Sequence, residues 1–283
     1  MSSIKKIGVA GAGAMGLGIA QVFAQSGFNV VLFDLGQSQL DKAKDTITKN
    51  LDFAVSKGKL KDADKSAALG RISYTTNVND LVADLVIEAI VEKLEPKREL
   101  FSKLAEINSE TTILASNTSS IPITRIAKDV KHPQRIAGMH FFNPAHLMKL
   151  VEIISAVETG KEVSETLKQL TLTIGKVPVM CTDSPGFIVN RVARHYYVES
   201  LRLLEEGVAT MENVDALMES AGFKMGPYKL MDMLGNDVNF AVTSSLFESF
   251  HQDPKFRPSR IQQQKVEAGH LGKKTGKGFY NYS

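Results

Sequence analysis

Short apolar runs alternate with longer amphipathic stretches through the first two thirds of the chain. The runs Lys6–Ala10, Asn29–Phe33, Leu85–Ala89, Thr112–Ala115, Arg135–Met139, Leu150–Ile154 and Val177–Met180 have the length and β-rich content of strands. Helical patterns lie between most of them. Ser38–Val55, for example, spaces Leu40, Ala43 and Ala54 for one face and leaves its lysines outside. Alternation of this kind predicts a mostly parallel α/β sheet. The pattern changes near Asp183-Ser184-Pro185-Gly186. Beyond Phe187 the expected elements are helices: Ile188–Glu206 ended by Gly207, Val214–Ala221 stopped by Gly222, Ala241–Phe250 and Ser259–Ala268. Residues 1–184 therefore read as an α/β domain and 185–283 as an all-α domain.

The first strand runs directly into Gly11-Ala12-Gly13-Ala14-Met15-Gly16. A helical run from Gly18 to Gln25, a break at Gly27, the second strand and Asp34 follow. Each piece suits a bound dinucleotide. Gly11 permits the tight turn, Gly13 leaves room for a pyrophosphate against the backbone, and Gly16 lets the helix close on the strand. The helix N-terminus offers free N–H groups and a positive dipole end to the phosphates, and Ala14 and Met15 of the loop are expected beside the cofactor. Asp34 lies about 20 residues on, where a carboxylate bonds the ribose hydroxyls and repels a 2′-phosphate. Leu35 and Gly36 come next, so no arginine directly follows to receive such a phosphate. A Rossmann-type domain binding NAD rather than NADP is the expectation, although FAD uses the same fingerprint.

A hydride-transferring site also needs a proton acceptor. Of the six histidines, His140 follows a strand pattern and precedes Phe141-Phe142-Asn143-Pro144, at the strand end where α/β sheets bind ligands. Glu152 lies in the next apolar run, between Val151 and Ile153. A carboxylate there needs a partner, and a histidine nearby would make a pair that orients and charge-balances the ring. A purely structural buried pair is the alternative. The hydroxyl-rich segment Ser116-Asn117-Thr118-Ser119-Ser120 also follows a strand. It suits hydrogen bonds to a substrate oxygen, or equally helix capping before Ile121-Pro122.

Composition narrows the picture. The chain has 283 residues, 43% of them hydrophobic, and a formal net charge of +3. That is enough for a sizeable core and too little charge for a nucleic-acid footprint; the Lys273–Lys277 loop is basic but short and glycine-rich. One cysteine, Cys181, excludes an internal disulfide and suits a reducing compartment. No secretory h-region precedes the first strand, and no apolar run approaches the roughly 20 residues that span a membrane. A cytoplasmic protein with no metal site is expected.

Together these segments resemble the short-chain L-3-hydroxyacyl-CoA dehydrogenases, in particular the bacterial 3-hydroxybutyryl-CoA dehydrogenases. Beyond the glycine loop and Asp34, the resemblance rests on Glu88-Ala89-Ile90-Val91-Glu92, Ser116–Ser120, His140–Pro144 and Val151–Ile153. It continues through Asp183–Arg191 and Gly272–Tyr280. It implies an NAD cofactor and an acyl-CoA substrate, with His140 as general base oriented by Glu152. Ser119 and Asn190 would bond substrate oxygens. Glu92, Lys97, Asn143 and Lys274 would contact NAD, and Lys49 and Lys57 the CoA phosphates. A homodimer through the C-terminal helices is implied as well. Two departures stand out: Ala14 replaces a more usual Thr or Gln, and Met231–Asp237 keeps only the outline of a family segment. A related β-hydroxyacid dehydrogenase acting on a free acid, or a non-catalytic NAD-binding structural protein, are the competing readings.

Overall fold

A computed structural model of the chain describes residues 4–282, in two units that divide between Ser184 and Pro185. The first carries eight strands: β1 (Lys6–Ala10), β2 (Asn29–Phe33), β3 (Ile72–Thr75), β4 (Leu85–Glu88), β5 (Ile113–Ser116), β6 (Ile136–Phe141), β7 (Leu150–Ser155) and β8 (Val177–Thr182). They form one sheet in the order β3-β2-β1-β4-β5-β6-β7-β8. Six helices accompany it: α1 (Ala14–Gln25), α2 (Gln37–Ser56), α3 (Asp62–Gly70), α4 (Leu94–Ile107), α5 (Ile123–Ala127) and α6 (Lys161–Thr173).

The pairings from β3 through β6 are parallel. β4 and β5 are buried at every position, as expected for strands covered on both faces. β6 and β7 are joined by a short loop without a crossover helix, so the chain returns antiparallel. The chain leaves β1 toward β2 on one side and comes back to β4 on the other. That reversal opens a crevice beyond the carboxyl ends of β1 and β4, where such sheets bind ligands.

Three differences from the sequence pattern have physical causes. β3 was not anticipated, because Ile72-Ser73-Tyr74-Thr75 is short and lies at the sheet edge with only Ile72 fully buried. α1 starts at Ala14, a turn earlier than the apolar run from Gly18 suggests, so Gly16 lies inside the helix. In the second unit a helix expected from Ala241 begins at Asn236, whose polar first turn hides it.

That second unit contains α7 (Val189–Glu205), α8 (Met211–Ser220), α9 (Pro227–Leu234), α10 (Asn236–Ser249) and α11 (Arg260–Glu267). Tyr197, Leu201, Val214, Tyr228, Met231 and Phe279 form its apolar centre. Two fully buried carboxylates organise the rest. Asp215 accepts the N–H groups of Tyr228 and Lys229 and the Tyr280 hydroxyl. Asp232 accepts the N–H groups of Phe279 and Tyr280, the Tyr282 hydroxyl and the Asn236 amide. The C-terminal Phe279–Tyr282 segment is thus tied into the helices. The mostly parallel sheet followed by a helical unit matches the fold class expected from sequence. Among the described residues no helix is long and apolar enough to cross a membrane.

Candidate active site

The crevice is built by the turn between β1 and α1. Gly11 has φ +102°, and a Cβ there would stand 2.5 Å from the Ala89 carbonyl oxygen. A Cβ on Gly16 would stand 1.7 Å from the Gly11 oxygen. Both positions therefore admit only glycine. Gly13 differs, because a Cβ there meets nothing within 4 Å; its bareness leaves open space. Gly13 is also the N-cap of α1 and gives no side-chain cap, so the first-turn N–H groups are available to an anion. Asp34 Oδ2 accepts the Ala12 N–H at 2.8 Å and Oδ1 accepts the Gly36 N–H at 3.0 Å, which fixes the carboxylate beside the loop. A cleft of about 650 Å³ lies here, lined by Gly11, Gly13, Asp34, Leu35, Ile90 and Val91 among others. Leu35 and Val91 are largely exposed and give the cleft apolar walls. These features fit a dinucleotide.

Beside the cleft lies a charge network whose importance sequence reasoning missed. Glu88 ends β4 with 0% exposure, and Lys97 on α4 is 1% exposed. Lys97 Nζ is 2.5 Å from Glu88 Oε1 and 3.2 Å from Glu92 Oε2. Glu88 also accepts the Ser116 hydroxyl at 2.6 Å and the Ile90 N–H at 2.8 Å. Glu92 Oε1 accepts the Thr118 hydroxyl at 2.6 Å and the N–H groups of Ser119 and Ser120, with both serine hydroxyls within reach. Burial opposes ionisation of Glu92. The Lys97 charge and the donors of Thr118 and Ser119 outweigh it and hold this carboxyl below the usual range. Glu92 therefore shapes the loop that carries Ser119. Asn117 adds a tie to β6 by accepting the Phe141 N–H at 2.8 Å.

His140 and Glu152 are brought together by register. They are directly paired across β6 and β7, so both side chains leave the same face of the sheet. His140 Nδ1 lies 2.7 Å from Glu152 Oε2, and Glu152 is fully buried. A proton on Nδ1 is donated to the carboxylate, which leaves Nε2 as the acceptor nitrogen.

The family model described as 3-hydroxyacyl-CoA dehydrogenase, NAD binding domain, matches residues 6–184, and that described as 3-hydroxyacyl-CoA dehydrogenase, C-terminal domain, matches residues 186–282. The chain belongs to the 3-hydroxyacyl-CoA dehydrogenase family. It is similar to the 3-hydroxyadipyl-CoA dehydrogenase of Escherichia coli K12, with 50% identity over 284 residues, which take in 100% of this chain and 60% of that protein's length. It is 45% identical over 279 residues to the probable 3-hydroxybutyryl-CoA dehydrogenase of Deinococcus radiodurans, covering 98% of this chain and 100% of that protein. The crystal structure of (S)-3-hydroxybutyryl-CoA dehydrogenase from Ralstonia eutropha matches with a TM-score of 0.96 at 41% identity, over 99% of this chain and 100% of that one. The family and the NAD cofactor expected from sequence are borne out.

Within this family framework, the remaining expected site residues are placed as follows. Ala14 and Met15 open α1 at the cleft. Asn143 is exposed on the loop after β6. Lys97 is turned inward onto Glu88 and Glu92 rather than outward. Lys49 is exposed on α2, and Lys57 caps that helix with its ammonium 5.4 Å from the Phe53 ring centroid. Asn190 and Lys274 belong to the second unit. Asn190 lies in the first turn of α7, and Lys274 forms a two-pronged ion pair with Asp237 at 2.6 and 2.7 Å. Among the described residues no cluster of His, Cys, Asp or Glu has the arrangement of a metal site.

Proposed function

We propose that the chain catalyses the reversible oxidation of an L-3-hydroxyacyl-CoA, 3-hydroxybutyryl-CoA in the first instance, to the 3-ketoacyl-CoA with NAD. The observation that carries this reading is the buried His140–Glu152 pair in a domain whose glycine loop and Asp34 fit a dinucleotide. Bound NAD supplies the acceptor for the hydride that leaves C3. His140 takes the 3-hydroxyl proton on Nε2. Glu152 holds the ring by Nδ1 and stabilises the imidazolium that results. Ser119, held by Glu92, and Asn190 bond the substrate oxygens and fix its pose. Asp34, Glu92, Asn143 and Lys274 serve NAD, with Lys97 behind Glu92. Lys49 and Lys57 meet the CoA phosphates. We further propose a cytoplasmic homodimer formed through residues 185–283.

A free-acid β-hydroxyacid dehydrogenase would favour a catalytic lysine, and the His140–Glu152 pair argues against it. A non-catalytic NAD-binding protein would have no use for a buried histidine–carboxylate pair. The test is NADH formation with 3-hydroxybutyryl-CoA and NADH loss with acetoacetyl-CoA. 3-Hydroxyadipyl-CoA belongs in the same series, because the E. coli relative bears that substrate's name. Turnover of at least one acyl-CoA supports the reading. NAD binding without turnover of any acyl length would overturn it.

A further inference from the structure

The loop of residues 142–149 joins β6 to β7. Its first residue, Phe142, sets its ring centroid 4.5 Å from that of His140. Asn143 follows. The next residues wind through a single helical turn, in which the N–H groups of Leu147 and Met148 both donate to the Pro144 carbonyl at 2.9 Å. Such a turn leaves carbonyls at its C-terminal end without helical partners. Lys176, in the connection between α6 and β8, supplies them: its Nζ donates to the Ala145 oxygen at 2.7 Å and to the Met148 oxygen at 2.6 Å. A cation at the C-terminal end of a helical turn also meets a favourable dipole.

Lys176 is 7% exposed, and burial lowers its pKa. Among the described residues it forms no ion pair with a carboxylate. An ammonium is costly to bury unless its donors are used, and here they are used on two carbonyls of one turn. The opposite side of the turn is equally confined. Ala145 is in the core, and a Cβ on Gly18 of α1 would stand 3.1 Å from the Ala145 Cβ. The turn is therefore clamped between Lys176 and the helix whose N-terminus faces the dinucleotide cleft.

We infer that Lys176 is a positioning residue for cofactor binding, its ammonium fixing the turn that presents Asn143 to NAD and Phe142 to His140. The inference rests on the proposed contact between Asn143 and NAD. In Lys176→Met the NAD dissociation constant should rise about tenfold, the worth of one well-placed hydrogen bond. The KM for acetoacetyl-CoA should stay within about twofold, since no CoA contact is assigned to this loop. Lys176→Arg, which can still reach both carbonyls, should recover most of the loss. Asn143→Ala should weaken NAD binding to the same extent, and the double variant no further, because the two act through one contact. Should Lys176→Met fail to fold, Lys176→Gln keeps one donor and carries the same comparison. An NAD affinity unchanged in folded Lys176→Met or Lys176→Gln, or additive losses in the double variant, would overturn the inference. Failure of the wild-type chain to turn over acyl-CoA would instead count against the proposed function.

Discussion

His140 and Glu152 are direct neighbours across the antiparallel β6–β7 pair, their ring nitrogen and carboxylate oxygen 2.7 Å apart. The alternation of strand side chains makes this pairing strict. Met139, Phe141, Val151 and Ile153 take the other face and join the main apolar core. Both faces are buried, so a slip of one residue would move the Glu152 carboxylate into that apolar core and away from His140, its hydrogen-bond partner. The hydrophobic pattern that builds the sheet therefore also sets the geometry of the proposed base.

Removing the base should separate chemistry from binding. His140→Gln keeps the size and polarity of the side chain, and should lose about 10²- to 10⁴-fold in kcat, the usual worth of a general base. The NAD dissociation constant should not move. Glu152→Gln keeps a hydrogen-bond acceptor for Nδ1 but loses the charge, and should cost less than His140→Gln. Steady-state rates with acetoacetyl-CoA, alongside NAD binding by calorimetry, check both. Near-normal turnover in His140→Gln would remove this residue from the mechanism.

Asp34 is expected to set the choice of nucleotide. Its two oxygens are held by Ala12 and Gly36 N–H groups, so the negative charge stays aimed at the cleft. Asp34→Ala removes the acceptor for the ribose hydroxyls and the repulsion of a 2′-phosphate. The ratio of kcat/KM for NAD over NADP should fall by about tenfold or more. A ratio that stays unchanged would show that some other group selects the nucleotide.

Much of this site was legible because it is local. The turn at Gly11, the open space at Gly13, the close helix packing at Gly16 and the acid at Asp34 lie within one βαβ unit, and each follows from a steric or electrostatic demand on one residue. His140 and Glu152 are also near in sequence, and only their register needed the fold. Glu88, Lys97 and Ser116 were not legible as a network, because three separate elements bring them together and nothing local links them. The second unit was harder. Arg194, Asn236, Asn239, Thr243 and Gln262 are all buried there, and a polar core leaves no trace in a hydrophobic pattern. Nothing local marks Asp215 and Asp232 for burial, because the segment that covers them lies 47 residues or more further along the chain.

The Glu88–Lys97 pair should matter to stability. Both groups are out of water, so removing one leaves the other charge uncompensated. Lys97→Met should destabilise the protein by about 3–5 kcal/mol, as measured for buried pairs broken on one side. The Ser116 and Ile90 donors to Glu88 soften the loss toward the lower figure. Urea unfolding at neutral pH measures it. A loss below about 1 kcal/mol would place the pair with ordinary surface ion pairs.

Alkaline pH should unfold the chain early. All six tyrosines have phenols held above their ordinary value, with burial the first cause in each case. Tyr280 and Tyr282 also donate to Asp215 and Asp232, bonds that a phenolate cannot make. Burial, and then the charges of Glu152 and Asp183, push the Cys181 thiol up to about 12. For each group the folded chain keeps a proton that the unfolded chain releases near its ordinary pKa, about 10 for tyrosine and about 8.5 for cysteine. The folded state therefore binds more protons than the unfolded state above those values, and stability falls as pH rises. Stability from these groups is fully present below about pH 8.5 and is lost progressively from there through pH 10 and above. Urea midpoints should accordingly fall steadily across that window. The near-ultraviolet phenolate band should stay weak until the chain unfolds, and then rise with the loss of helical circular dichroism. Ionisation of most tyrosines near their ordinary pKa in a still-helical protein would contradict this, and would mean that the Asp215 and Asp232 bonds do not hold the C-terminal segment in solution.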